Sequence, residues 1–117
     1  NDGFGHAAGD MVIADFAGLL ARSIDGSGLV ARMGGEEFAI LLPGRGAEEG
    51  GRIAEELRMA TLDGLPKRDG LPDTVTASFG VAQLSETDQL TELSRKSDAA
   101  LYQAKTMGRD RVCVALQ

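Results

Sequence analysis

The 117 residues predict an α+β fold in which helices pack against a largely antiparallel sheet. Three observations carry this. Apolar residues recur at helical spacing in three long stretches. Two short aliphatic runs flank a glycine pair as the arms of a hairpin, and further short runs alternate or bunch as strands do. The order is helix, hairpin, helix, strand, helix, strand, with no internal repeat and no low-complexity tract.

Asn1 to Asp10 (NDGFGHAAGD) is rich in glycine and polar residues and predicts a loop. From Asp10 the pattern turns helical: Ile13, Phe16, Ala17, Leu20 and Ile24 make one apolar stripe, and Asp10 suits a cap or first-turn acid. Gly18 weakens this helix modestly, and Asp25-Gly26-Ser27-Gly28 stops it. Leu29 to Met33 and Phe38 to Leu42 then form a hairpin with Gly34-Gly35-Glu36-Glu37 at its tip and Pro43-Gly44 closing the second strand.

A second helix fits Ala47 to about Thr61, with Ile53, Leu57 and Ala60 on one face and Glu48 and Arg52 as an i,i+4 pair. Residues 63–73, with two prolines and two glycines, predict an irregular connection. Val75, Ala77, Phe79 and Val81 alternate as a half-buried strand. A third helix runs from about Gln89 to Met107. Its buried face is Leu90, Leu93, Ser97, Ala100, Leu101 and Ala104, and Gly108 follows as a C′ glycine. Asp98, Tyr102 and Lys105 lie on a neighbouring face, Asp98 and Tyr102 securing the helix against the sheet. Arg111 to Leu116 predicts the last strand. Because the chain opens on a loop with no strand before it, the pattern predicts an N-terminally incomplete domain spanning 1–117.

Composition narrows the function classes. With 43% hydrophobic and 26% charged residues, one globular domain that buries a core is expected. A net charge of -6 argues against a broad nucleic-acid or anionic-membrane surface, so a polyanionic ligand must be met by a few placed cations or by metal. Cys113 is the single cysteine, which excludes an internal disulfide. No apolar run reaches the length of a membrane span and the start resembles no signal peptide, so a cytoplasmic location without direct membrane contact is expected.

The hairpin tip carries the chemistry. Paired glycines tolerate positive φ and let a ligand approach the backbone, and adjacent carboxylates supply hard oxygen ligands for a divalent cation. A phosphate-bearing substrate with its magnesium suits this turn; taken alone, so does a solvated hairpin turn.

Four separated motifs occur in series: Asn1-Asp2 with Gly5-His6 and Gly9-Asp10; Ala31-Arg32-Met33-Gly34-Gly35-Glu36-Glu37-Phe38; Ser78-Phe79-Gly80-Val81-Ala82; and Asp98 to Lys105 followed by Gly108-Arg109. In this the chain resembles a GGDEF domain, the diguanylate cyclase family, over essentially its whole length. The resemblance implies the palm fold of nucleotidyl cyclases, ferredoxin-like, and condensation of two GTP into cyclic di-GMP with release of two pyrophosphates. It further implies Mg²⁺ or Mn²⁺ as cofactor, a second GGDEF domain as catalytic partner in a homodimer, and an attached sensory domain.

The resemblance also implies roles. Asn1 and Asp10 match the guanine-reading residues; for Asp10 the helix cap is the alternative. Glu36 matches the metal-ligand carboxylate, and Gly34 and Gly35 the backbone against substrate. Glu37 matches the acid that positions or activates the attacking 3′-hydroxyl, and otherwise is a turn acid. Lys105 and Arg109 match phosphate-binding cations, and otherwise are cations favourably placed at a helix C-terminus. His6 is structural on this reading.

Three departures stand out. The strand and metal-ligand aspartate that should precede Asn1 are not in the chain. The product-inhibition motif R-x-x-D is out of register, with Asp25 and Gly28 in its positions and Arg22-Ser23-Ile24-Asp25 three residues early, which predicts no product inhibition there. Asp110 stands where the family commonly has Asn. Two alternatives to an active cyclase follow: a GTP-binding or regulatory domain without turnover, and a fragment inactive as it stands.

Overall fold

The computed structural model describes residues 6–67, 74–85 and 88–115, the side chains of 6–8 excepted. The elements are α1 (His6–Ile24), β1 (Leu29–Gly34), β2 (Glu37–Leu41), α2 (Ala47–Gly64), β3 (Phe79–Val81), α3 (Leu90–Thr106) and β4 (Val112–Val114), in the predicted order and of the predicted α+β class. The strands form two pairs: β1 and β2 run antiparallel, while β3 and β4 run parallel and are joined by α3 as a β-α-β crossover. Two compact units are formed, Asn1–Pro43 with Ala60–Val75, and Gly44–Met59 with Thr76–Gln117.

The first unit is organised by α1. Leu19, Leu20 and Ile24 bury their side chains on it, as does Thr61 near the end of α2. Full burial of one leucine such as Leu20 is worth roughly 1.5–3 kcal/mol. Phe16 and Phe38 form a T-shaped pair, centroids 5.5 Å apart, which ties α1 to the start of β2. The helix starts at His6, so the loop expected through Asp10 is half helix. Ala7 and Ala8 favour helix, and Gly9, which costs about 1 kcal/mol relative to alanine, is buried by packing that overrides its propensity.

The second unit is built on close approach of backbones. Gly80 of β3 lies directly under α3: a Cβ there would stand 2.2 Å from the Leu101 nitrogen and 2.3 Å from the Ser97 carbonyl oxygen. Ala100 and Ala104 are the buried positions of α3, and Ala54 and Leu57 are buried on the part of α2 that belongs to this unit. Gly50 and Gly51 bring α2 down on Val81 and Val114. At the start of α2 the Ala47 amide donates to Gln83 Oε1 at 2.7 Å, satisfying one of the helix's orphan donors from a different element.

Several expectations change. Tyr102 is 71% exposed and Asp98 is also exposed, so neither secures α3 to the sheet. The sheet-facing stripe centres on Ser97, Ala100, Leu101 and Ala104, and Tyr102 falls on the opposite side of the helix. Leu90, in the first turn, is exposed as well. Arg52 pairs with Glu56 at 2.8 Å and more loosely with Glu49, not with Glu48. The strand expected from Val75 pairs only over Phe79–Val81. Residues 68–73 of the expected connection lie outside the described residues. Among the described residues no helix is long and apolar enough to cross a membrane.

Candidate functional site

The hairpin tip is a two-residue loop, Gly35-Glu36, between the paired residues Gly34 and Glu37. Gly35 has φ +52° and Gly34 φ +150°, backbone that L side chains rarely adopt, with positive φ at the first loop position as a type II′ turn requires. The register slips between Arg32 and Gly34, which leaves Met33 as the extra residue of a bulge. Arg32 then straps the turn: its Nε and Nη2 donate to the Gly35 carbonyl oxygen at 2.8 and 2.5 Å. Nothing lies within 4 Å of where a Cβ on Gly34 or Gly35 would stand, so the backbone here is open to an approaching ligand. Glu36 and Glu37 are exposed on this strapped turn, and Phe38, the next residue, is held by Phe16.

Asp10 sits on the second turn of α1 and is exposed. It is not a cap, because the helix begins four residues earlier and its first turn holds no acid. The structural alternative for this aspartate is thereby removed. Asn1 lies outside the described residues, as does the side chain of His6.

Lys105 and Arg109 stand together in the second unit. Lys105, half-buried, is the basic residue of the last turn of α3. Gly108 takes φ +120°, and the Arg109 amide donates back to the Ala104 carbonyl at 2.9 Å, the long-range bond of a Schellman motif. Arg109 itself is exposed with φ +62°, and Asp110 follows with φ +46°. The Asp110 carboxylate accepts from Arg58 Nη1 at 2.8 Å, and its amide donates to Ser78 Oγ at 3.1 Å. Arg58 also forks onto Glu55 at 2.8 and 2.7 Å. The hydrogen bond to Glu55, and then that to Asp110, raise the Arg58 pKa above its ordinary value, while Arg58 lowers that of Glu55.

A divalent cation fits the donor chemistry of Glu36, though among the described residues no group of three His, Cys, Asp or Glu gathers as a protein cage. Magnesium is commonly held by one or two carboxylates together with substrate phosphates, so an exposed carboxylate beside open backbone suits it. At Gly28, one of the two positions of the displaced R-x-x-D pattern, a Cβ would stand 2.1 Å from the Leu41 carbonyl oxygen. This backbone therefore has no room for an aspartate at 28.

The tertiary structure brings the Gly34–Glu37 turn and the helix bearing Asp10 into one unit through the Phe16–Phe38 pair, and Lys105 and Arg109 into the other. Sequence reasoning missed Arg32 and the Arg58–Asp110 pair. Arg32, three residues before its acceptor, carried a local signal as the one cation in the apolar arm. Arg58 is 52 residues from Asp110, and no local pattern joins them.

The family model described as "Diguanylate cyclase, GGDEF domain" matches residues 1–111. Diguanylate cyclase DgcP of Pseudomonas aeruginosa is 39% identical over 115 residues, which is 98% of this chain and 17% of that protein. The structure of the active GGEEF domain of a diguanylate cyclase from Vibrio cholerae is similar with a TM-score of 0.89 at 35% identity, covering 100% of this chain and 74% of that one. The coiled coil and GGDEF domain of DgcB from Caulobacter crescentus, in complex with c-di-GMP, is similar with a TM-score of 0.88 at 32% identity, covering 98% of this chain and 62% of that one. The fold expected from the sequence is the fold of these domains. The chain spans between about a sixth and about a third of the length of the curated relatives it matches.

Proposed function

Because the chain belongs to the GGDEF, or diguanylate cyclase, family, whose model matches residues 1–111, we propose that it condenses two GTP into cyclic di-GMP with release of two pyrophosphates. The observation that carries this reading is the strapped, glycine-floored turn with Glu36 and Glu37 exposed on it. A surface loop that only reversed the chain would need neither the arginine strap nor two adjacent carboxylates.

On this reading the Gly34 and Gly35 backbone lies against the triphosphate, close approach being possible because no side chain intervenes. Asp10 accepts hydrogen bonds from the N1-H and 2-amino edge of guanine, and Asn1 pairs with the remaining polar groups. Lys105 and Arg109 bind phosphate oxygens, the arginine bidentately. Glu37 positions the 3′-hydroxyl and takes its proton as the new O–P bond forms at the α-phosphate of the second nucleotide and the bond to pyrophosphate breaks in line. Glu36 would hold Mg²⁺ or Mn²⁺, which when bound supplies neutralisation of the charge on the attacking and leaving oxygens.

One domain holds one GTP in this scheme, so two copies face each other for reaction, and the reaction belongs in the cytoplasm where GTP is found. The greater length of the relatives supports an attached regulatory domain in the intact protein. The test is product analysis of the intact protein with GTP and Mg²⁺. Cyclic di-GMP should form, and Glu36→Ala should abolish turnover, while Glu37→Gln should lower kcat by roughly 10²–10⁴-fold as loss of a general base does. Full activity in Glu36→Ala would sink the reading. GTP binding without product, even under forced dimerisation, would favour the regulatory alternative.

A further inference from the structure

Arg109 and Asp110 are the two non-glycine residues with positive φ among the described residues, and they are consecutive. Left-handed backbone is unfavourable for a residue such as arginine and persists only where its surroundings over-determine it. The surroundings here do so. On the N-terminal side the Arg109 amide is bound to the Ala104 carbonyl at 2.9 Å, and its own carbonyl accepts from Arg111 Nε at 3.0 Å. On the C-terminal side Asp110 is held twice, through its amide to Ser78 Oγ and through its carboxylate to Arg58. Arg58 is in turn fixed by both of its Glu55 bonds, and its side chain is only 17% exposed. Arg109 itself is exposed.

We propose that Asp110, anchored by Arg58, is a positioning residue that holds Arg109 in its left-handed conformation for binding a nucleotide triphosphate. The inference rests on the reading of Arg109 as a phosphate-binding cation. Two physical effects support it. A guanidinium carried on a pinned backbone loses less freedom when it binds, which raises affinity without any added contact. An aspartate adjacent to a phosphate-binding arginine would also compete with the phosphate for that arginine. Engagement with Arg58 occupies its carboxylate instead. Aspartate and asparagine tolerate left-handed φ better than other non-glycine residues, which accounts for the residue type at 110.

Charge and positioning predict opposite results for one substitution. Removing the negative charge of Asp110 beside a triphosphate site should tighten binding if only charge matters. If Asp110 positions Arg109, Asp110→Ala should weaken binding. The experiment is calorimetric titration of the intact protein with the α,β-methylene analogue of GTP, which cannot lose pyrophosphate, in the presence of Mg²⁺. Asp110→Ala is expected to raise Kd about five- to tenfold, the size of a typical net hydrogen-bond contribution. Asp110→Asn keeps both the acceptor for Arg58 and the tolerance of left-handed φ, and should stay within about twofold of wild type or bind more tightly.

Arg109→Ala should raise Kd by tenfold or more, and adding Asp110→Ala to it should cause no further loss, since a positioning residue has nothing left to position. If Asp110→Ala fails to fold, Arg58→Lys replaces it. A lysine keeps the charge but cannot bridge Glu55 and Asp110 with a fork, and weaker binding is again expected. Wild-type or tighter binding by Asp110→Ala, or equal losses from it with and without Arg109, would overturn the positioning role alone. Unchanged affinity in Arg109→Ala would overturn the phosphate-binding reading of Arg109 and the positioning role with it.

Discussion

Replacing Gly80 by alanine tests whether the second unit is built on backbone approach between β3 and α3. The new methyl would stand 2.2 Å from the Leu101 nitrogen, 2.3 Å from the Ser97 carbonyl oxygen and 2.7 Å from the Leu101 Cα, where ordinary contact begins at 3.4 Å. The two backbones must separate by more than about 1 Å, and no side-chain rotation relieves a clash with backbone atoms. Overpacking of this kind costs roughly 1–3 kcal/mol and occasionally more, and backbone on both sides of the methyl puts Gly80→Ala at the upper end. Alanine recovers about 0.4–1 kcal/mol by restricting the unfolded chain. The net expectation is a loss of about 2–3 kcal/mol, or roughly 6–15 °C in Tm for a chain of this size. Urea denaturation followed by circular dichroism measures it directly. Gly64→Ala is the matched control, because nothing lies within 4 Å of the Cβ position there and its φ is ordinary. With no clash to offset it, the same restriction of the unfolded chain should leave stability unchanged or raise it by up to about 1 kcal/mol. A Gly80→Ala protein within about 0.5 kcal/mol of wild type would refute the reasoning, since the helix would then have to sit farther from the strand than the structure places it.

Two further outcomes are expected. Gly28→Ala should lose about 2 kcal/mol or more in denaturant titrations, because its Cβ meets the Leu41 carbonyl oxygen at 2.1 Å; wild-type stability would mean that the start of the hairpin can move aside. The Asp88 carboxyl is held below its ordinary pKa, first by the Lys96 hydrogen bond at 2.7 Å and then by Ser85. A lowered folded pKa means that the pair's contribution is fully present above the unfolded aspartate value of about 4 and is lost as pH falls through the folded value. Asp88→Asn should therefore remove part of the acid limb of the stability profile, and identical profiles for the two proteins between about pH 2 and 5 would count against it.

Much of the architecture and part of the site were legible from local pattern. The period of Ile13, Phe16, Leu20 and Ile24 identified α1, and the aliphatic arms around Gly34-Gly35 identified the hairpin, though not its two-residue loop or the bulge at Met33. Gly108 announced the end of α3. Where local signals conflicted with packing they misled. The glycine-rich start read as loop, but Gly9 is buried within α1. Tyr102 read as a packing residue because aromatic side chains usually are, but it lies on the exposed side of α3.

Local pattern was enough to recognise the helices and strands in their order, though not the first turn of α1 or the extent of β3, to put Glu36 and Glu37 at a glycine turn, and to point to the family. Those properties depend on residues near one another along the chain, or on motifs recognised one at a time. Only the tertiary structure decided why Gly80 must be glycine, why position 28 has no room for the aspartate of an R-x-x-D motif, and what Asp110 does. Each of these is set by atoms distant in sequence: the α3 backbone above Gly80, the Leu41 carbonyl beside Gly28, and Arg58 against Asp110. Periodicity records which face of an element is apolar. It carries no record of how closely two backbones approach, or of which cation 52 residues away meets a given carboxylate.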